Sequence, residues 1–485
     1  MKICMYMGNK RARGHAFWAG FLTLFLSFVF HFNGAAQTTD LSVPTLSASA
    51  KTFSQASLEF SNSQFLRASE PYFREGASSS LTSWKLGWKA RAQRRGWFAN
   101  VDARNDYQSE EDHHYIKPFD LATGWGNENN RFILGRQRQD WSVADDLWRI
   151  GMWQPRFTDD QITRENGGFT GAFAKFGNDD AHLLLFGSPY WIPDTQASFE
   201  LKNQKFVSKN PWFKPPTNIV NLDGIPTDVR YNFDRPSVED VIKHGMAAAQ
   251  FEYRPTTVHF ARVSAAYKPL NQLIIGFPLE LHLEDPNYAQ IDVKTRVLYQ
   301  QLLTFEAGVR DQDGYTAWWS VTSDRPFRDN PPPEWTTQEV KDAVIGSVYV
   351  GRDLRGSGPN ATHAYISYLR VEGGDAPDRG EFKGTKSLFE PRYMFQDAVQ
   401  VGLRHTAPLL TRKWLAHFSG NVIYDFAQHG VMASAKIAQP FGKAWSALLS
   451  GDVIGLVDKS GRVQEGFIST YRANDRVSAG VQYVF

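Results

Sequence analysis

Long stretches of the chain alternate between apolar and polar side chains. In residues 84–92 the apolar positions are Trp84, Leu86, Trp88, Ala90 and Ala92, with Lys85, Gly87, Lys89 and Arg91 between them. A period of two puts alternate side chains on opposite faces of a β-strand. After Arg94-Arg95-Gly96 the alternation resumes through residues 97–106. The two segments therefore predict a hairpin with one apolar and one charged face.

The same period recurs along most of the chain and predicts an all-β fold. Candidate strands are 58–66, 82–93, 96–107, 118–126, 130–138, 168–177, 181–188, 245–254, 258–267, 272–283, 289–299, 302–310, 314–322, 344–353, 362–371, 397–406, 413–426, 430–439, 444–456, 463–472 and 476–485. A single-chain bacterial barrel has an even number of strands, so at least one of these segments is misassigned. Short turns and long loops stop alternating between residues 354 and 396, where we place the error. We expect about 18 strands, within a range of roughly 16 to 20.

The last ten residues separate a membrane barrel from a soluble sandwich. Val477, Ala479, Val481, Tyr483 and Phe485 share one face, and the chain ends on that aromatic ring. Residues 478–485 resemble the terminal sorting signal of bacterial outer-membrane β-barrels: polar, any, Gly480, any, any, hydrophobic Tyr483, any, aromatic Phe485. The resemblance implies a transmembrane antiparallel β-barrel that the barrel-assembly machinery inserts into the outer membrane of a Gram-negative bacterium.

The first 36 residues have the organisation of an export signal. Lys2, Lys10, Arg11 and Arg13 precede an apolar block over residues 16–32, and small residues at 34–36 offer a cleavage site. We expect cleavage after Ala36; a membrane anchor is the alternative. Removing four basic residues from 53, against 51 acidic ones, leaves a mature net charge of −2. Residues 37–57 are expected to be a flexible lead-in or a small periplasmic segment, and residues 58–485 a single barrel.

Aromatic residues in or beside the alternating segments suggest membrane-interface girdles. Seven tryptophans have such positions: Trp84, Trp97, Trp125, Trp318, Trp319, Trp414 and Trp445. Amphipathic rings of this kind are enriched at the two edges of a bilayer. The alternative is that they are ordinary core tryptophans.

Four connections are too long to be turns, namely 139–167, 189–244, 323–343 and 372–396, and we expect most of them to be external loops. Segment 189–244 contains seven of the 24 prolines, which argues against regular sheet and leaves open a fold into the lumen. Its candidate binding rings are Tyr190, Trp191, Trp212, Phe213 and Tyr231. They could stack on saccharide beside neighbouring lysines; the alternative is that they pack on one another.

In a barrel the polar faces of the strands point into the lumen. The predicted basic pore-lining residues are Lys85, Lys89, Arg91, Arg104, Lys294, Arg296, Arg310, Arg404 and Lys436, and the acidic ones are Asp102, Asp106, Asp292, Glu306, Asp425 and Asp452. Nine against six makes the lumen mildly basic, which favours anions in a narrow passage. The alternative is a salt-bridged wall with no role in transport.

Catalytic and metal-binding groupings are weak. His417-Phe418-Ser419-Gly420-Asn421 superficially resembles a stretch of the outer-membrane phospholipases, but Gly and Asn are exchanged and His417 and Ser419 fall on the lumen face. The run at residues 110–114 is polar enough to be a solvated loop. We therefore expect no enzyme, no metal and no cofactor. The balanced charge also argues against a nucleic-acid partner.

The sequence thus predicts a porin-like outer-membrane channel for small solutes or surface polysaccharide. Its overall build is similar to porins and to capsule- and exopolysaccharide-associated barrels, without a family signature. The expected partners are outer-membrane lipid, the barrel-assembly machinery, and small solutes or anionic saccharide as cargo. The alternative is a surface polysaccharide-binding, assembly or adhesion barrel that acts through its loops. The oligomeric state stays open.

Overall fold

The computed structural model describes residues 52–70, 73, 76–222, 224–282, 288–311, 314–328, 330–355, 362–374, 378–379, 389, 391–408, 415–457 and 466–485. The predicted signal peptide at 1–36 and most of the lead-in lie outside these ranges. The first strand starts at Phe53, five residues before the predicted start at 58.

Strands make up most of the described residues. In chain order they are β1 (Phe53–Phe65), β2 (Ser80–Arg94), β3 (Trp97–Gln108), β4 (His113–Gly126), β5 (Arg131–Gln137), β6 (Arg156–Thr158), β7 (Glu165–Asn166), β8 (Phe169–Gly177), β9 (Ala181–Ser188), β10 (Thr195–Gln196), β11 (Glu200–Lys202), β12 (Lys205–Val207), β13 (Ile219–Leu222), β14 (Ile225–Phe233), β15 (Met246–Tyr253), β16 (His259–Pro269), β17 (Ile274–His282), β18 (Tyr288–Arg296), β19 (Tyr299–Arg310), β20 (Tyr315–Pro326), β21 (Trp335–Gln338), β22 (Ala343–Arg355), β23 (Thr362–Gly373), β24 (Asp378–Arg379), β25 (Asp397–Pro408), β26 (Leu415–Asp425), β27 (Gly430–Phe441), β28 (Trp445–Leu456) and β29 (Arg476–Val484). Short helices α1 (Val143–Trp148), α2 (Val238–Ile242) and α3 (Phe467–Tyr471) lie between them.

Eighteen of these strands form one closed antiparallel barrel: β1–β5, β8, β9, β15, β16, β19, β20, β22, β23 and β25–β29. The wall closes because β29 pairs with β28 on one side and with β1 on the other. The C-terminal strand therefore lies between the first and the penultimate barrel strands. No helix within the described ranges is long and apolar enough to cross a membrane.

The two ends of the barrel differ in their connections. At one end, called the turn side, short turns join the strands and β1 begins beside the end of β29. The β2–β3 turn consists of Arg95 and Gly96, with φ of 48° and 83°. Positive φ at both positions is typical of the two-residue turn that suits the right-handed twist of hairpins. The opposite end, called the loop side, carries the long connections between β5 and β8, β9 and β15, and β16 and β19.

The outer surface of the wall is apolar and carries aromatic rings at the turn side. Trp97 and Trp125 are 60% and 59% exposed and lie opposite each other on β3 and β4. Trp445 and Tyr483 form a second such pair, with ring centroids 4.6 Å apart. This arrangement is typical of a membrane-interface girdle. Trp414 lies outside the described residues.

Trp318 contradicts the girdle prediction. It points inward and is only 7% exposed, because its ring stacks on Tyr349 at 5.2 Å. Its neighbour Trp319 takes the outward position on β20 beside Phe305. The sequence places two adjacent tryptophans on this strand, and only one of them can face lipid.

Three of the 21 predicted strands are not barrel strands. Segments 272–283 and 289–299 form β17 and β18 of a separate sheet, and the described part of 463–472 contains helix α3. The error was therefore not between residues 354 and 396, where β23 matches its predicted strand. β18 alternates as strictly as a barrel strand because it buries Ala289, Ile291 and Val293 on one face. Period two indicates a half-buried strand but not the sheet to which it belongs.

The separate sheet lies at the loop side and is called the outer sheet; its strand order is β13-β14-β18-β17-β21-β24. Two of its strands come from segment 189–244, which we expected not to form regular sheet. They use residues 219–222 and 225–233, where Pro226 is the one proline and lies at the start of β14. Proline is tolerated at such strand ends because few ladder hydrogen bonds are lost there.

Candidate pore interior

Residues 138–168, called the inserted segment, fold into the barrel. Ser142 Oγ and the Val143 amide donate to Glu306 Oε1 at 2.8 and 2.9 Å. Trp148 Nε1 donates to Ser347 Oγ at 2.9 Å and also contacts Ser367 Oγ. Since these acceptors project inward from β19, β22 and β23, the prediction that 139–167 is an external loop is wrong. Polar wall residues at this depth therefore hydrogen-bond to the segment, which offsets part of the cost of burying it.

The inserted segment is held in shape by its own side chains. Ser142 caps α1 by accepting from the Asp145 amide. The Asp145 carboxylate accepts from the amides of Gly151, Met152 and Trp153 at 2.7 to 3.2 Å. This one carboxylate therefore turns the chain after the helix. Trp141 and Trp153 stack with centroids 5.4 Å apart, which joins the two ends of the turn.

An ion network ties the far end of the inserted segment to the wall. Lys117 Nζ lies 2.7 Å from Asp159 and 2.9 Å from Asp106. Arg104 pairs with Asp106 and with Glu165 of the segment. Arg104 and Asp106 were predicted to face the lumen, and they do. Lys117 was missed because the bulge that follows it interrupts the alternation of β4.

Loop-side connections pack together into a hydrophobic cluster over the inserted segment. Trp141, Trp148, Trp153, Trp191 and Trp212 all have side chains less than 2% exposed. Tyr471 of α3 donates to the Trp212 carbonyl at 3.0 Å, and Asn474 donates to the Pro211 carbonyl. The loop-side part of the barrel interior is therefore packed like a protein core.

This packing determines which candidate binding rings of segment 189–244 are accessible to a ligand from solution. Trp191, Trp212 and Tyr231 are buried and cannot stack on a ligand from solution. Phe213 is half-buried against Phe199, with centroids 5.1 Å apart. Tyr190 alone among the five is well exposed, at 50%. The rings thus pack on one another and on the cluster, as the alternative interpretation predicted.

Part of the interior, along β25, β26 and β27, is open. Arg404, Ser419 and Lys436 face inward side by side on these strands, and each is exposed although it lies inside the barrel. Both cations, Arg404 and Lys436, are therefore exposed inside the barrel with no carboxylate within ion-pair distance among the described residues.

Most of the other predicted pore-lining residues that face the lumen have ion-pair or hydrogen-bond partners. Lys85 contacts Glu59 at 2.8 Å and Lys89 contacts Asp102 at 3.4 Å. At the loop side, Asp452 binds Arg476. Asp425 accepts hydrogen bonds from the backbone amides of residues 396 and 428. Arg91 and Arg310 project inward near the turn side. The lumen therefore contains both paired charges and charges that are exposed.

Asp292, Lys294 and Arg296 do not line the barrel. They lie on β18 of the outer sheet, where Lys294 pairs with Asp234 at 2.8 Å. The pore-lining prediction for these three residues is wrong because β18 pairs in parallel with β14 and not with a barrel strand.

The inserted segment contributes two charged residues that the sequence did not reveal. Asp146 and Arg149 have exposed side chains although the segment lies within the barrel. Asp146 Oδ1 accepts from Asn166 at 2.6 Å. Enclosure by the barrel, together with the nearby carboxylates of Asp145, Asp140 and Glu306, raises the pKa of Asp146 well above its usual range. No pattern in the sequence indicates that this segment folds inward.

The two groupings that the sequence offered, His417 with Ser419 and the run at residues 110–114, make other contacts in the structure. His417 and Ser419 face the lumen, away from lipid, and His417 contacts Thr406 at 3.2 Å. In the run at residues 110–114, Glu110 binds Thr82 while Glu111 binds Tyr115, Ser198 and Asn210. Within the described residues there is no group of three or more His, Cys, Asp or Glu side chains that could hold a metal ion.

Comparison with known proteins gives matches in fold only. No family model and no curated protein matches the chain. Among solved structures, it is similar to Acinetobacter baumannii OccAB4 at 10% identity and a TM-score of 0.45, over 90% of this chain and 98% of that one. It is also similar to Pseudomonas aeruginosa OccK11, at 8% identity, a TM-score of 0.43 and coverage of 90% and 96%. A third similar structure is P. aeruginosa OccK2 in complex with glucuronate, at 11% identity and a TM-score of 0.43, over 90% of this chain and 98% of that one. The barrel of this chain is defined by its own strand pairing: eighteen antiparallel strands, closed by β29 against β1.

Proposed function

We propose that this protein is an outer-membrane channel for small solutes whose passage favours anions. The observation that carries the proposal is the pair Arg404 and Lys436, two cations exposed inside the barrel without carboxylate partners among the described residues. Charged side chains in a confined aqueous passage bias the local ion concentration, and low-dielectric walls strengthen the effect.

The cargo follows from the space that is left. The inserted segment and the tryptophan cluster fill much of the loop-side interior, so a solute must pass along the segment and not through an open cylinder. Such a path suits small anionic solutes better than a polymer. We therefore propose small solutes as the cargo, with surface polysaccharide as the less favoured candidate.

The direct test reverses the two free cations. In planar bilayers, Arg404→Glu with Lys436→Glu is expected to shift the reversal potential in a salt gradient toward cation preference. The matched control is Lys205→Glu with Lys294→Glu, which makes the same charge change in the loop-side region outside the barrel wall. If both double variants keep the wild-type reversal potential, these side chains do not line the conducting path.

Membrane placement is proposed from the exterior and from the last strand. Long loops of such barrels face the outside and short turns the periplasm, so the inserted segment would enter from outside. Phe485 is exposed on the lipid face, its amide donates to the Ala56 carbonyl at 2.8 Å, and its ring contacts Tyr483. The same residue thus serves the proposed sorting signal and the lipid face.

Phe485→Ser tests this placement. We expect less folded barrel in the outer membrane, measured as heat-modifiable migration in membrane fractions, because the barrel-assembly machinery would read a weakened signal. Phe132→Ser is the control, since Phe132 is also an exposed lipid-facing ring but lies far from the C-terminus. If both variants lose the same amount of folded barrel, Phe485 contributes only lipid contact and is not part of a sorting signal.

A surface-binding role is the second candidate, and the outer sheet is the observation that favours it. Arg230 lies 3.8 Å from the Tyr288 ring centroid, and Lys205 pairs with Asp228 beside it. Together they form a charged and aromatic surface at the loop side. A barrel without steady conductance that still binds anionic polysaccharide would favour this role over transport.

A further inference from the structure

A groove of about 510 Å³ opens on the outside of the barrel wall at the loop side. Its aromatic floor is Tyr267, Tyr299 and Phe327; the ring centroids of Tyr267 lie 5.0 Å from Tyr299 and 5.6 Å from Phe327. Helix α2 and His244 form one side, and Arg296 and Arg328 also line the groove. The groove belongs neither to the lumen nor to the hydrophobic cluster beneath the loops.

The groove continues into the lipid-facing wall. Tyr267 lies two residues before the loop-side end of β16 and is 47% exposed on the outward face. Further along that face lie Val263 and, on the adjacent strand, Leu303 and Phe305, all exposed and apolar. A molecule in the groove can therefore rest its apolar part on β16 and β19, where an acyl chain would lie.

The polar side of the groove is suited to an anion. Arg328 is exposed and Arg296, at the end of β18, is half-buried, and both arginines line the groove. The carboxylate that lines the groove, Asp240, already accepts from the Ser237 hydroxyl at 2.6 Å. Guanidinium groups bind phosphate through paired hydrogen bonds, and tyrosines are typical at the level of lipid headgroups.

We propose that this groove binds the phosphorylated headgroup of an outer-leaflet glycolipid, with its acyl chains against β16 and β19. This inference rests on the proposed membrane placement, with the loop side outside. Arg296, which the sequence suggested as a pore-lining residue, is here a lipid ligand. Free inorganic phosphate could use the same arginines, but it would gain nothing from the apolar wall.

The test uses delipidated full-length protein in mild detergent, with bisphosphorylated lipid A as the probe and native mass spectrometry as the readout. We expect lipid A to bind and its dephosphorylated form to bind much more weakly. Arg296→Gln with Arg328→Gln should weaken lipid A binding roughly tenfold or more, because two charge-assisted contacts are lost. Tyr267→Ala should weaken lipid A and its dephosphorylated form by the same factor.

Arg352→Gln is the matched control. Arg352 is also exposed and also lies over a tyrosine ring, 4.3 Å from the Tyr315 centroid, but at the turn side and outside the groove. It should leave lipid A binding unchanged. Equal affinity for the phosphorylated and dephosphorylated lipids, wild-type binding by the double arginine variant, or binding of inorganic phosphate alone would each overturn the proposal.

The design separates this inference from the proposed function. The double arginine variant is expected to insert into vesicles and conduct as the wild type does, because its substitutions lie outside the lumen. Failure of the membrane placement would appear instead in the wild-type protein, as absence of insertion and conductance. Heat-modifiable migration of each variant shows that it has folded before its lipid binding is measured.

Discussion

Two sides of the barrel interior are built from the same alternating strands but are filled in opposite ways. On the side formed by β19, β22 and β23 the inward residues contact protein: Glu306 is fully buried and binds the inserted segment, and Trp148 hydrogen-bonds to the wall. On the side formed by β25, β26 and β27 the inward residues are exposed, as at Arg404 and Lys436. An inward position on a barrel strand therefore has no fixed chemical role.

The difference shows that charged residues of the lumen tend to form ion pairs where the inserted segment fills the interior. Where the inserted segment approaches the wall, several charges form ion pairs, as in the network of Lys117 with Asp106 and Asp159. Buried ions without partners would be costly, whereas exposed ones remain solvated. The proposed ion preference accordingly depends on the exposed charges of the lumen, Arg404 and Lys436 on the wall and Asp146 and Arg149 on the inserted segment.

Removing the inserted segment should abolish the difference between the filled and the open parts of the interior, and we expect this change to have the largest effect. Replacing residues 142–166 with a short Gly-Ser linker leaves the wall strands β5 and β8 intact. We expect a several-fold rise in single-channel conductance in planar bilayers, since water would replace the segment along the lumen.

The matched variant replaces residues 227–235 of the outer sheet, which does not enter the lumen, with the same linker. Its conductance should stay near that of the wild type. If the two replacements raise conductance equally, the outer sheet limits the path as much as the inserted segment does.

Glu306→Ala breaks one buried attachment of the inserted segment. Glu306 accepts from Ser142, Val143 and Ser320 and pairs with Arg262. Its removal takes this acceptor from Ser142, Val143 and Ser320, while Arg262 keeps its ion pair with Glu252. We expect this to lower the free energy of unfolding by about 3 kcal/mol. Urea unfolding in detergent micelles, followed by tryptophan fluorescence, measures the loss.

Glu59→Ala is the comparison, because Glu59 pairs with Lys85 where both side chains are partly exposed and the inserted segment does not cover them. The loss of unfolding free energy should be under about 1 kcal/mol. Equal losses for the two variants would contradict the view that contact with the inserted segment distinguishes the two sides of the interior.

Sequence periodicity was sufficient for the wall but not for what fills it. All eighteen barrel strands were among the predicted segments, because lipid on one side and a polar interior on the other impose period two on each of them. The outer sheet produced false barrel strands, since Ala289 and Ile291 alternate against a local core in the same way. An odd number of predicted strands shows that at least one of them is wrong, but it does not show which one.

The same distinction between regular wall strands and non-periodic loops explains which residues of the candidate site could be predicted. Arg404 and Lys436 were predicted because they sit on regular strands, whose faces are read directly from the sequence. Asp146 and Arg149 were not, because a non-periodic loop carries no signal for the side of the wall on which it folds. Lys117 was missed for a local reason, the bulge at Pro118 and Phe119 that ends the alternation.

The smallest expected effect is a pH dependence that distinguishes the inserted segment from the wall. Enclosure and neighbouring carboxylates raise the pKa of Asp146, so this group is neutral at low pH and ionises at a higher pH than an ordinary aspartate does. Rising pH then adds a negative charge beside the path. Anion preference should therefore fall as pH rises above the range in which an ordinary aspartate ionises, which the reversal potential in a salt gradient measures.

Asp146→Asn should remove this pH dependence and hold anion preference at its low-pH value. Asp234→Asn, in the loop outside the barrel, should keep the wild-type profile, because Asp234 pairs with Lys294 away from the lumen. A pH profile that survives in Asp146→Asn would assign the titration to another group on the path. Ion selection would then be a property of the wall alone, and the inserted segment would act only by narrowing the lumen.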